Sequence, residues 1–161
     1  MDDVVLNRKE YDPRMHSAEH ILNQTMVRMF NCGRAFSAHI EKKKSKCDYH
    51  FERNLIAEEI AQIEKKVNEV IQSNLSIQEK MFSREEAGKI VSLARLPEDA
   101  GDKVRIIAIG DYDLCPCSGV HAHSTSEIGE FKIISTDWTN GTLRIRFKIS
   151  LCDANISTSK Y

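Results

Sequence analysis

The stretch FKIISTDWTNGTLRIRFKIS, residues 131–150, reads as two strands joined by a two-residue turn. Asn140-Gly141 is the strongest short hairpin signal, because both central residues of a type I′ turn need positive φ and Asn and Gly tolerate it. Beyond the turn Leu143, Ile145, Phe147 and Ile149 alternate with Arg144, Arg146 and Lys148. A strand over 142–150 therefore packs one face and leaves the other basic. Residues 131–138 supply its partner.

Upstream, the β-branched run 104–109 reads as a buried strand and 75–81 alternates weakly as another, while Ser83 with Glu86 three residues on makes a capping box for a short helix. Residues 35–40 and 46–52 read as two short strands around an exposed basic turn of Lys42, Lys43 and Lys44. Helices break up this pattern. Over 14–31, Met15, Ile21, Leu22, Met26, Met29 and Phe30 recur at three and four. Asp12-Pro13 supplies an N-cap and a first-turn proline, and Gly33 sits just past the expected end. Over 56–72, Ile56, Ile60, Ile63, Val67, Val70 and Ile71 form one stripe opposite Glu58, Glu59, Glu64, Lys65, Lys66 and Glu69. The expected class is α+β: a single domain over 1–161, mainly antiparallel sheet packed against a long helix, with a polar tail after about residue 151.

Composition agrees with one globular core. The chain has 161 residues, 41% of them apolar and 29% charged, with only seven Gly and three Pro, which excludes disordered, collagen-like and repeat-array readings. At this size roughly two-thirds of the open chain's surface can be buried. Lys and Arg number 23 against 24 Asp and Glu, so any nucleic-acid contact must be local rather than spread over a basic protein. No apolar run approaches the ~20 residues of a bilayer span, and the first residues are polar and acidic where a signal peptide is basic and then apolar. The expectation is a cytoplasmic protein with no membrane partner. Five cysteines, Cys32, Cys47, Cys115, Cys117 and Cys152, are an odd number. Free thiols or metal ligands suit them better than a disulfide framework.

Two strings carry chemistry. In HSAEH, His16 and His20 stand four apart, so on a helix both imidazoles face one point, with Glu19 on the flank. About a hundred residues later comes DLCPCSGVHAH, residues 113–123. Its Pro116 and Gly119 make a turn able to present the Cys117 thiolate and the His121 imidazole together. Two histidines from one half-site and a cysteine and histidine from the other sum to the four N/S ligands that tetrahedral zinc takes. Cys115 and His123 are bystanders in this reading, or alternative ligands. The same His16-x-x-Glu19-His20 string also satisfies the HxxEH pattern of inverzincin peptidases, but Cys117 and His121 have no role there.

HSAEHILN (16–23) together with CSGVHAHSTSEIGEFKI (117–133) resembles the HxxxH and CxxxH motifs of the editing domain of alanyl-tRNA synthetase and its free-standing relatives, the AlaX proteins. This second additional domain also recurs in threonyl-tRNA synthetase, but the SEIG continuation looks more like the alanine type. Ser118 and Val120 stand where the motif commonly has Gly and Thr, and Glu19 where many synthetases have Thr. The resemblance implies an aminoacyl-tRNA deacylase acting in trans on mischarged tRNA for alanine, carrying serine or glycine. It implies a Zn2+ cofactor held by His16, His20, Cys117 and His121 between the N-terminal helix and a loop of the C-terminal half. Glu19 would orient the attacking water, and Ser37, His39 and Gly119 would line the amino-acid pocket. The aminoacylated acceptor end of the tRNA would meet Lys42, Lys43, Lys44, Arg144 and Arg146; no protein partner is implied. The other reading left open is a catalytically silent, zinc-bearing tRNA-binding module.

Overall fold

A computed structural model describes residues 12–90 and 102–150. Helix α1 spans Pro13–Phe30. The Asp12 carboxylate accepts the Arg14 backbone N–H at 2.9 Å, satisfying one of the donors that every helix start leaves open. The C-terminal end is closed by Asn31 rather than Gly33: Asn31 takes the left-handed conformation, φ 54°, and its N–H reaches the Val27 carbonyl at 2.9 Å. Strands β1 (Ser37–His39) and β2 (Ser45–His50) follow, and then helix α2, Ala57–Gln72. Ile63, Val67, Val70 and Ile71 bury the stripe of α2, but Ile56 lies outside it, 57% exposed at the N-cap. There the Glu59 carboxylate accepts the Ile56 N–H and is clasped by Arg53.

Strand β3 (Ile77–Ser83) leads into helix α3 (Arg84–Ile90), where Ser83 and Glu86 exchange the two bonds of a capping box, each 3.1 Å. Strands β4 (Lys103–Ile109) and β5 (Asp113–Pro116), a 3-10 turn at Thr125–Glu127, β6 (Glu130–Thr139) and β7 (Thr142–Ser150) complete the described elements. The β6–β7 turn has φ 48° at Asn140 and 84° at Gly141, as the type I′ geometry requires. All pairings between these strands are antiparallel.

The strands form two sheets rather than one, in the orders β1-β2-β7-β6 and β3-β4-β5. Residues 113–116, expected as part of a turn, instead pair with β4, Cys115 opposite Ile107. Pairing across the short 110–112 turn sets this strand, and four residues are too few for a periodic signal of their own. The inner face of the first sheet carries Cys47, Tyr49, Leu143, Ile145 and Phe147, all fully buried, in one core with Met15, Ile21, Leu22 and Met26 of α1 and the α2 stripe. Ile77, Ile107 and Ile109 bring the second sheet into the same core, while Val104 and Ile106 pack on Ala87 of α3. Strand β4 is thus buried on both sides from Ile106 to Ile109, which is why that stretch reads as an unbroken apolar run. The polar tail after about residue 151, with Cys152, lies outside the described residues.

Candidate metal centre

His16 and His20 project from neighbouring turns of α1, and the Cys117–His121 loop leaves β5 directly over them. One ligand atom from each of His16, His20, Cys117 and His121 lies within 4.8 Å of the other three. The His16 and His121 rings stack at 4.1 Å, with His20 edge-on to His121 at 4.4 Å. Each ring turns Nδ1 toward the protein. His16 Nδ1 donates to the Val120 carbonyl at 3.2 Å, His121 Nδ1 meets Ser17 Oγ at 3.0 Å, and His20 Nδ1 lies 3.7 Å from Asp113 Oδ2. The opposite nitrogens face the cluster: His16 Nε2 is 3.6 Å from Cys117 Sγ.

The loop is held by its backbone. Arg105 of β4 donates to the carbonyls of both Cys117 and Gly119, each at 2.8 Å, and the Gly119 N–H points back at Cys117 Sγ at 3.4 Å. Burial alone pushes the Cys117 thiol up, but the surrounding imidazoles of His121, His16 and His20 outweigh it and bring it down to about 2. Burial lowers His20, yet Asp113, Cys117 and Glu19 together hold it well above the usual histidine value. Desolvation and the neighbouring imidazoles take His121 down to about 3. Behind His20, Asp113 is buried and accepts from Gln24 at 2.8 Å and from Arg34 at 2.7 Å and 3.2 Å.

Among the described residues, His121 Nε2 and His20 Nδ1 are buried with no hydrogen-bond partner. His20 Nδ1 faces Asp113, but His121 Nε2 faces the cluster, and a metal ion is the partner that a buried, unpaired imidazole nitrogen takes there. One thiolate and three imidazoles are a donor set that fits zinc. Glu19 stands at the edge of the cluster, its Oε1 3.6 Å from His16 Nε2 and 3.9 Å from His20 Nε2. Its other oxygen accepts from the Asn23 amide. Asn23 Oδ1 in turn accepts from the Ala35 N–H at 3.0 Å and the Tyr49 hydroxyl at 2.8 Å. With two donors on Oδ1, the amide can only turn its NH2 to Glu19.

The remaining sequence candidates lie elsewhere. Register rows run Ser37–Asp48–Arg144–Asp137 and His39–Lys46–Arg146–Ser135 across the first sheet. Since Cys47 and Ile145, between these rows, face the core, the rows themselves face away from it. Ser37 and His39 are thus exposed on the edge strand, on the sheet face opposite the one that packs on α1, and are not brought to the ligands. Arg144 is bidentate to Asp48 at 2.8 and 2.9 Å, and Arg146 pairs with Asp137 and reaches Ser135 at 3.3 Å. Lys42, Lys43 and Lys44 are exposed in the turn before β2. Gly119 belongs to the loop that grips the Cys117 sulfur. Cys115 and His123 are outside the four-residue group. Ser17, Asn23, Asp113 and Arg105 were not anticipated. Asp113 alone had a signal: it begins the Cys/His string, and a carboxylate is a common partner of a metal-binding imidazole.

Fold and centre together define an α+β domain built around a His/Cys site suited to a metal ion. Residues 104–146 match the Threonyl and Alanyl tRNA synthetase second additional domain. The chain is similar to alanine–tRNA ligases: 32% identical to that of Neisseria gonorrhoeae over 84% of this chain and 15% of the ligase. The corresponding figures are 36% over 76% and 14% for Coxiella burnetii, and 33% over 88% and 16% for a Thermoanaerobacter species. It spans about 15% of the length of these relatives. These matches support an editing domain related to that of alanyl-tRNA synthetase, the family that the HSAEHILN and CSGVH strings resemble. No helix among the described residues is long and apolar enough to cross a membrane.

Proposed function

We propose that the chain is a deacylase for mischarged tRNA for alanine, removing serine and, secondarily, glycine. In this reading His16, His20, Cys117 and His121 hold a zinc ion, and the domain acts in the cytoplasm. The observation that carries it is the placement of a buried carboxylate, Glu19, beside the Nε2 atoms of two of the four converging ligands.

A zinc ion at this centre supplies Lewis-acid polarisation or an anchor for the substrate. Hydrolysis forms a bond from the water oxygen to the ester carbonyl carbon and breaks the carbon–oxygen bond to the ribose. Glu19, oriented by Asn23, accepts the proton of the water and returns it to the departing ribose oxygen. Asp113 and Ser17 orient the imidazoles, and Arg105 fixes the loop on which Cys117 sits. Because Ser37 and His39 face away from the core, we assign them to the nucleic-acid side of the substrate, on one face with Lys46, Arg144 and Arg146 and beside the Lys42–44 turn.

The test is deacylation of seryl-tRNA for alanine by purified protein of known zinc content, beside alanyl-tRNA and the His20→Ala variant. The expected result is rapid serine release that His20→Ala abolishes, with alanyl-tRNA spared. No serine release despite one bound zinc per chain would refute serine as the substrate, leaving another aminoacyl-tRNA or the silent tRNA-binding module.

A further inference from the structure

Ser17 lies between the two ligands of α1 and is fully buried, 0% exposed. Its hydroxyl has one proton and two lone pairs, and the surroundings use all three. Oγ donates to the Pro13 carbonyl at 3.1 Å, one helical turn back. It accepts the Ala122 backbone N–H at 3.1 Å. The lone pair that is left faces His121 Nδ1 at 3.0 Å. With the hydroxyl proton committed to Pro13, only His121 can supply the hydrogen of that third bond. Nδ1 is therefore the protonated nitrogen, and Nε2, the buried atom without a partner, keeps its lone pair.

The same outcome is imposed more simply on His16, whose Nδ1 faces a carbonyl that can only accept. For His121 the partner could have gone either way, and the Pro13 carbonyl removes the choice. We infer that Ser17 is a positioning residue for the metal centre: it sets the tautomer of His121 and fastens the backbone of the ligand loop to α1. This goes beyond the proposed function but rests on the reading that these side chains hold zinc. Removing the hydroxyl in Ser17→Ala takes away the partner of His121 Nδ1 and of the Ala122 N–H at a fully buried position. The ring is then free to place its proton on Nε2, the nitrogen required by the metal.

The experiment measures zinc affinity by chelator competition on the full chain and its Ser17→Ala and Ser17→Thr variants. In parallel, 15N-resolved NMR reads the histidine tautomers. Loss of an outer partner of a metal-binding imidazole typically costs about 10- to 100-fold in affinity. That loss is expected for Ser17→Ala, whereas Ser17→Thr keeps the oxygen and stays near wild type. The spectra should show His121 protonated on Nδ1 in the wild type and shifted toward the Nε2–H form in Ser17→Ala. Equal zinc affinity in wild type and Ser17→Ala would overturn the inference while leaving the zinc reading intact. A wild type that takes up no zinc would overturn both. If Ser17→Ala fails to fold, the wild-type spectrum decides alone, and an Nε2-protonated His121 there refutes the assignment.

Discussion

Asn23 is the residue whose removal tests the buried network most directly. Three hydrogen bonds meet on its side chain: one given to the Glu19 carboxylate, and two accepted, from the Ala35 N–H and the Tyr49 hydroxyl. The side chain is 2% exposed, so water cannot replace these partners. A bond to a charged group is worth about 1.5–3 kcal/mol net and a neutral one about 0.5–1.5 kcal/mol. Asn23→Ala should therefore cost about 4 kcal/mol, where Tyr49→Phe, which deletes one neutral bond, should cost about 1 kcal/mol. Urea unfolding followed by circular dichroism, with a chelator present so that metal does not contribute, measures both. A double-mutant cycle with Glu19→Ala should return a coupling of about 1.5–3 kcal/mol, the charged bond itself. If Asn23→Ala costs no more than Tyr49→Phe, the network does not hold Glu19, and its place in the proposed chemistry fails with it.

Glu19→Gln keeps the shape and the acceptor for Asn23 but not the proton acceptor, so zinc content should be unchanged while deacylation falls about 10²- to 10⁴-fold; retained activity would remove Glu19 from the reaction. The Arg144 guanidinium holds the Asp48 carboxyl below its ordinary value. Its stabilisation is thus fully present above the unfolded value near 3.9 and is lost as pH falls through the lower folded one. Asp48→Asn should destabilise the protein at neutral pH by ~0.5–1 kcal/mol, seen as a lower urea midpoint, and the gap to wild type should close on acidification. Gly110→Ala should destabilise more than Gly141→Ala: both have positive φ, but a Cβ at 110 would meet Leu75 at 3.1 Å and one at 141 meets nothing within 4 Å. Thermal melts of the two variants settle the order, with backbone strain alone costing about 1–2 kcal/mol. Finally, replacing Lys42, Lys43 and Lys44 by alanine should weaken tRNA binding and flatten the dependence of log K on log salt by on the order of one unit for each phosphate left without its lysine; an unchanged slope in filter binding would clear the turn of any part in holding the tRNA.

Features set by neighbours in the chain were legible before the fold was known. The Asn140-Gly141 turn, the Asp12-Pro13 start of α1 and the Ser83/Glu86 box each involve residues within four positions of one another, and each is observed. Ile56 misled because periodicity places a residue on a stripe without saying where the helix begins. The split into two sheets was not legible, since β5 has only four residues and its place is decided by pairing with β4. The four candidate ligands were visible because their chemistry is unusual and their spacing is local within each half-site. Ser17 and Asn23 were not: a small polar residue in a helix carries no sign of what it will touch, and their partners lie 104 and 26 residues away. Ser37 and His39 sit on a strand as expected, but which way a three-residue edge strand faces depends on its register with β2.

The two halves of the centre lie almost a hundred residues apart in sequence, His20 on the first helix and Cys117 after the fifth strand. An ion gripped by all four side chains closes that interval into a ring, as a cross-link does. For a loop of about 100 residues, chain-entropy arguments put such closure near 4.7 kcal/mol against the unfolded state. The same ion that serves the ester would then also be a fastening of the fold, and the melting temperature of this protein would report on how much zinc its surroundings supply.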